Sequence, residues 1–290
     1  MSTIPHLGPD DVRLAADVLV APASLAGGGS SRTVSAALDS AAGWTKTIAF
    51  GTDAYYTSPC QRVRIANPVE SHYGGWTIAF AEDPLGVPDW ITTFDRNTPA
   101  EVVSAFTTAL VEGLGNNFRH QLHGGTHQTG LTPATLFAVH GWQPAPGPSG
   151  VHRQLSPDGH CAYRIRTSQV HEYDELMDPE LSTWRLSGGV EPVSAPTWQA
   201  YFSAGTPFHL ISASAEVLAN PTPVTRVAHS IPERHLPFVT IQPVEVSQQP
   251  ARASAALART SRAGQPTPYI TSTTAPVTQT SHAAPPRRQR

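Results

Sequence analysis

Hydrophobic and polar positions along this chain recur at two periods, helical and alternating, and the two follow each other in the same order twice. In "SRTVSAALDSAAGW" and again in "TPATLFAVHGW" apolar residues return at helical spacing. Thr132 is placed to cap the second of these, Pro133 suits its first helical position, and Gly43 and Gly141 read as C-terminal stops. Alternation follows. Val63 and Ile65 oppose Arg62 and Arg64 in "RVRIA", while Cys161, Tyr163 and Ile165 oppose His160, Arg164 and Arg166 in "HCAYRIR". Trp76, Ile78 and Phe80 share a face of "WTIAF", and Trp90, Thr92 and Phe94 share one of "DWITTF", as strands require. Helical spacing returns in "TPAEVVSAFTTALVEGL", where Val102, Val103, Phe106, Leu110 and Leu114 recur. Thr98 as N-cap, Pro99 at the first helical position and Glu101 two places later predict a capping box.

The six tryptophans fall into three pairs. Trp44 matches Trp142 at a shift of 142 − 44 = 98, which also carries Ser58-Pro59 onto Ser156-Pro157. Trp76 matches Trp184 and Trp90 matches Trp198 at a shift of 108, which carries Thr98-Pro99 onto Thr206-Pro207 and Leu110 onto Leu218. The difference is ten residues inserted in the second copy, within "RTSQVHEYDELMDPE". Matches in unchanged order at two shared shifts are the signature of an internal duplication. The predicted class is α+β: two tandem α-β-β-β-β-α repeats, antiparallel sheets with helices on one side, packed as an internal pseudo-dimer. The expected boundaries are an N-terminal segment at 1–14, repeats at 15–114 and 116–220, an extended segment at 221–246 around "HLPFVTIQPVEV", and a disordered basic tail at 247–290 rich in Pro, Ser, Thr, Ala and Arg.

Charge divides along the same lines. Residues 1–225 hold 11 basic and 20 acidic groups, net 11 − 20 = −9, and residues 226–290 hold 8 and 2, net +6, which together give the overall −3. Lysine occurs once, at Lys46. The two cysteines, Cys60 and Cys161, form neither a C-x-x-C pair nor a disulfide framework, which points to a reducing compartment. The first twenty residues lack a basic n-region and a sustained apolar stretch, and no segment approaches a membrane span, so the expectation is a cytoplasmic protein with no membrane contact.

The stretch "HQLHGGTH" places His120, His123 and His127 at a spacing that could hold zinc. At a shift of 97, "LAGGG" overlays "LHGGT", and Ala23, Ala26 and Ser30 occupy the three histidine positions in the first copy. A turn that works without ligands in one copy needs none in the other, so no metal and no cofactor is expected. The glycines answer to turn geometry at positive φ, and the turn lacks the spacing of a phosphate-binding loop.

The order "LAGGG", a helix ending in "GW", "SP" before a strand, "W-x-I", "P-x-W-x-x-x-F" and a "TP" helix resembles the actinomycete SPDY domain of unknown function, over roughly residues 15–220. The namesake motif survives as "SPD" at Ser156–Asp158 and as "SPC" in the first copy. The resemblance implies a cytoplasmic actinomycete protein, in some cases linked to mobile elements, often with tandem copies, and it assigns no catalytic residues.

No nucleophile elbow, H-E-x-x-H or paired Cys and His is present, and Asp83, Asp89 and Asp95, six residues apart, read as solvated strand ends, so no enzymatic activity is expected. The leading expectation is a non-catalytic module that docks onto a protein partner. The alternative is single-stranded nucleic-acid binding by a pseudo-dimer with a topology analogous to the PUR-alpha and Whirly type. Arg62, Arg64, Arg164 and Arg166 would contact phosphates, and Tyr55, Tyr56 or Tyr73 would stack on bases. An acidic body argues against a general binder, and the basic tail supplies the electrostatic attraction.

Overall fold

A computed structural model describes residues 16–68, 75–115, 121–124, 131–220 and 222–244. Strand β1 (Asp17–Ala21) leads through a 3-10 turn to helix α1 (Ser31–Ser40). Five strands follow: β2 (Thr45–Ala49), β3 (Asp53–Thr57), β4 (Val63–Asn67), β5 (Trp76–Phe80) and β6 (Trp90–Phe94), closed by α2 (Ala100–Leu114). The order then recurs as α3 (Pro133–Val139), β7 (Gln143–Ala145), β8 (Val151–Leu155), β9 (Cys161–Arg166), α4 (Glu172–Met177), β10 (Trp184–Gly188), β11 (Trp198–Phe202) and α5 (Phe208–Ala219). Strands β12 (Val224–Val227) and β13 (Thr240–Pro243) complete the described chain.

The mixed class and the antiparallel sheets agree with the sequence. The number of strands between flanking helices is five, not four. The edge strands escape pattern reading because β2 is exposed along nearly its whole length and β7 is three residues with Pro144 at its centre, so neither carries the alternation that a half-buried strand shows. The order β2-β3-β4-β5-β6-β11-β10-β9-β8-β7 makes one ten-stranded antiparallel sheet, mirrored about the contact of β6 with β11.

That seam is short and clamped at both ends. Phe94, Thr93 and Thr92 register against Ala200, Tyr201 and Phe202. Asp95 N–H donates to the Gln199 carbonyl at 3.0 Å, and Gln199 N–H donates to Asp95 Oδ2 at 2.6 Å. At the other end Ser203 N–H donates to the Ile91 carbonyl at 3.0 Å, and Ile91 N–H to Ser203 Oγ at 2.9 Å. Ile91 and Asp95 stand 108 residues before Gln199 and Ser203, so the clamps are counterparts.

One face of the sheet and helices α1, α2, α3 and α5 share a single core that includes Trp76, Phe80, Trp90, Phe94, Phe106, Trp184, Trp198 and Phe202. The buried tryptophans interlock the halves. Trp90 Nε1 donates to the Leu122 carbonyl, ahead of α3, and Trp198 Nε1 donates to the Ser24 carbonyl, ahead of α1, each at 2.8 Å. Each half thus holds the lead-in turn of the other. The expected capping box at α2 does not form. Thr98 Oγ1 donates across the seam to the Gln199 carbonyl and to Asp95, Pro99 is the N-cap, and Glu101 is drawn to Arg226. Thr132 does cap α3, accepting from Thr135 N–H at 3.2 Å, with Pro133 at the first helical position.

Helix α4 departs from the rule of helices on one side. It lies within the inserted stretch, and its Leu176 and the exposed Met177 line a cleft with Thr77, Ile91, Thr93 and Tyr201 on the face opposite the core. The expected extended segment is two strands: β12 and β13 flank β1 in a second antiparallel sheet. Arg226 of β12, almost fully buried, reaches Glu101 of α2 through Nη1–Oε1 and Nη2–Oε2 contacts of 2.8 and 2.6 Å. Gly29 makes room for it, since a Cβ there would come within 2.9 Å of the guanidinium, and Gly27 and Gly29 both have positive φ as the turn reading expects. Segments 1–14 and 247–290 lie outside the described residues. No helix among the described residues is long and apolar enough to cross a membrane.

Candidate functional site

The face of the long sheet away from the core is built by the odd partners of the buried positions, because successive side chains point to opposite faces. Following the strand register across it, Thr47, Tyr55, Ala66, Thr77, Thr93, Tyr201, Arg185, Arg164, Arg153 and Ala145 stand in one row, one from each strand. All four arginines singled out from the sequence lie on this face, but the structure splits them into two pairs. Arg62 precedes β4 and Arg64 lies in it, whereas Arg164 and Arg166 belong to β9, five strand steps away, about 24 Å at the usual spacing.

Both pairs are engaged by loops that fold over the sheet. Arg62 Nε donates to the Glu82 carbonyl at 2.6 Å and Arg64 to the Pro84 carbonyl, so the β5–β6 connection lies over the first pair. Arg164 donates to the carbonyls of Glu180 and Ser182 at 3.3 and 3.1 Å. Arg166 donates to the Leu181 carbonyl at 3.0 Å and to the Ser168 carbonyl, and approaches Glu175 at 3.5 Å. Neither pair is on an edge strand, so edge protection is not their role; that falls to Lys46 on β2 and Pro144 on β7. Lys46 Nζ bonds Asp39 Oδ1 at 3.0 Å and lies 5.1 Å from the Tyr56 ring centroid.

Of the tyrosines, Tyr55 is on the outer face and half-buried. Tyr56 is a core residue, 2 % exposed, with its ring near Trp76 and its hydroxyl on Asp39, so it offers no stacking surface. Its register against Ile65 fixes the direction. Tyr73 lies outside the described residues. Arg153, Arg185 and Tyr201 were not singled out from the sequence; their place becomes visible only once the register from β8 to β11 is known, although "VHRQL" and "WRLSG" carry the alternation.

The aspartates expected at solvated strand ends are structural caps. Asp83 Oδ1 accepts from Leu85 N–H at 3.0 Å, Asp89 Oδ2 from Glu82 N–H at 2.6 Å, and Asp95 holds the seam. Burial pushes the Asp95 carboxyl up to about 6, against the hydrogen bonds from Gln199, Thr98 and Asn97 that favour its charge. Burial likewise pushes the Cys161 thiol up to about 12, far from thiolate chemistry. His235 is buried, with Nδ1 at 2.8 Å from the Leu25 carbonyl and Nε2 at 2.8 Å from Thr197 Oγ1; that arrangement suits a neutral ring, and burial lowers its pKa. His123 Nε2 meets Glu82 Oε2 at 3.0 Å and its ring packs on Phe80, while His120 and His127 lie outside the described residues. Among the described residues no three His, Cys, Asp or Glu side chains converge.

The "SP" positions begin matching hairpins. Ser58 Oγ accepts from Val63 N–H at 3.0 Å and Ser156 Oγ from Cys161 N–H at 2.8 Å, with Gln61 and Gly159 both at positive φ. The SPDY domain of unknown function (DUF317) matches residues 57–114 and 155–224, each match beginning one residue before such a serine. Two segments of the chain match the SPDY domain. They are consistent with two copies of the domain. In the matched segments the motif's Ser and Pro set a hairpin turn; Asp158 accepts from Ser156 Oγ at 2.5 Å and from His160 N–H at 3.0 Å, and Cys60 stands in its place in the first segment. Searches of the curated proteins and of the solved structures found no match.

Proposed function

We propose that this protein is a non-catalytic protein-interaction module of the cytoplasm, formed by two tandem repeats that pair as an internal pseudo-dimer and dock a protein partner on the outer sheet face of the first half. The observation that carries this reading is the β5–β6 connection. It holds Leu85 and Val87 out to solvent, 91 % and 65 % exposed, on a loop pinned by Asp83, Asp89, Arg62 and Arg64. Apolar side chains on a pre-ordered loop bind a partner without a large ordering cost. The engagement of Asp83, Asp89 and Asp95 in capping, and of Cys161 and His235 in the interior, supports a role other than catalysis. The test is affinity capture from the native host with nuclease treatment, using the full chain and its L85D/V87D variant. A nuclease-resistant protein set lost in a variant that melts like the wild type is expected; capture abolished by nuclease, or unchanged in the variant, would contradict the reading.

A second reading, single-stranded nucleic-acid binding, is favoured by one observation: Arg153, Arg164 and Arg185 stand side by side on three adjacent strands with Tyr201 next in the row. Guanidinium groups suit phosphate, and an aromatic beside them suits a base. Fluorescence anisotropy with labelled oligothymidylate at low and moderate salt tests it, with salt-sensitive binding as the expected result.

A further inference from the structure

Like charges directly opposed across strands destabilise a sheet, yet Arg153, Arg164 and Arg185 are opposed in succession over β8, β9 and β10. What meets Arg164 and Arg185 is the segment 169–180, which carries the ten-residue insertion that the first half lacks. Residues 169–180 include five acids, Glu172, Asp174, Glu175, Asp178 and Glu180. Glu180 joins the row twice, accepting from Tyr201 Oη at 2.6 Å and from Arg185 Nη1 at 3.3 Å, while its carbonyl takes Arg164. Glu175, buried, accepts from Thr183 N–H and from Ala204 N–H at 3.0 Å, which ties the segment down at its middle. The fit is incomplete. Among the described residues the Nε atoms of Arg164 and Arg185 are buried without a partner, and Arg153 donates to the Pro146 carbonyl, at 2.8 Å. Burial and the neighbouring Arg185 lower the Arg164 pKa to about 10. A segment that seats one acid, Glu180, on an arginine row but leaves donors unmet is a substitute ligand with fewer contacts than the row can make.

We propose that Arg153, Arg164, Arg185 and Tyr201 form a binding row for the phosphodiester backbone of a single-stranded nucleic acid, and that the acidic insertion 169–180 occupies this row in cis and is displaced when the strand binds. The inference rests on the second reading above and adds where the strand binds and what withholds the site. It separates the halves: the first half presents the exposed Leu85 and Val87 of its β5–β6 loop to protein, and the second keeps a masked row for a polyanion.

The experiment uses the full chain and labelled oligothymidylate in anisotropy, with two variants: residues 169–180 replaced by a Gly/Ser linker, and the charge variant E172Q/D174N/D178N/E180Q, which keeps Glu175 as a cap. Both are checked for folding by thermal melting; the charge variant decides if the linker variant does not fold. Tighter binding than wild type is expected, about tenfold at low salt, returning to the wild-type value when R153Q/R185Q is added. Equal affinity in wild type and variants overturns the masked row, while salt-sensitive binding common to all of them leaves the second reading standing. Absence of binding in every protein overturns both. Unlabelled polyglutamate competing as well as unlabelled oligothymidylate also overturns the proposal, because the row would then be a general carboxylate seat.

Discussion

Replacing Glu101 with Gln tests whether the segment after α5 is part of the fold or an appendage. Arg226 on β12 has a side chain 3 % exposed, and Glu101 on α2 is 26 % exposed. The pair makes two short contacts, and Arg226 also donates to the carbonyls of Thr225 and Gly27 at 2.9 and 3.3 Å. Breaking a buried pair from one side costs about 3–5 kcal/mol because a charge is left unpaired. Partial exposure of Glu101 admits water to that side, so E101Q should cost about 2–3 kcal/mol. R226M removes the charge and strands the two carbonyls, and the double variant should recover part of the loss. Urea denaturation followed by tryptophan fluorescence on all four proteins gives the coupling, which should be about 2 kcal/mol and little changed by moderate salt. A coupling below about 0.5 kcal/mol, the size found for exposed pairs, would refute the reasoning.

Three further outcomes follow from the same geometry. Asp95 is raised from 3.8 to about 6 in the fold, so the folded protein keeps a proton that the unfolded chain releases; this stability is fully present below about pH 4 and lost as pH rises through 6. Wild type relative to D95N should therefore lose about 3 kcal/mol between pH 4 and pH 7 in denaturation curves, and a pH-independent difference would contradict it. K46I removes the inward charge from the edge strand β2 and should produce concentration-dependent association in light scattering; a variant that stays at the wild-type size at all concentrations would show that Lys46 does not guard the edge. W90F and W198F each leave a carbonyl, of Leu122 or Ser24, without its donor and should each cost about 1–3 kcal/mol in urea unfolding, whereas losses of a few tenths would deny the interlock its weight.

What the sequence displayed and what it hid divide by range of contact. Strands β4, β5, β6 and β9 could be read from alternation because one face of each is buried, and α3 could be read from Thr132 and Pro133 because a cap is local. Strand β1 found its partners more than two hundred residues away, and no local pattern announces that. Thr98 and Glu101 had a sound local use as a capping box, but Gln199 and Arg226 outcompeted it from a distance. The outward arginines were legible as outward; that they divide between two loops, and that Arg153 and Arg185 join Arg164, depends on strand register. Tyr56 was misjudged because parity along "DAYYT" distinguishes two faces but not which is buried.

The most direct test of the central claim is a hydrogen-exchange footprint of the full chain with the captured protein partner bound. Added protection of the amides in residues 82–88 and in the neighbouring outer strands β3 and β4, with the helices α1, α2, α3 and α5 unchanged, is the predicted result. Protection confined to those helices, with residues 82–88 exchanging as in the free protein, would contradict docking on the outer face of the first half.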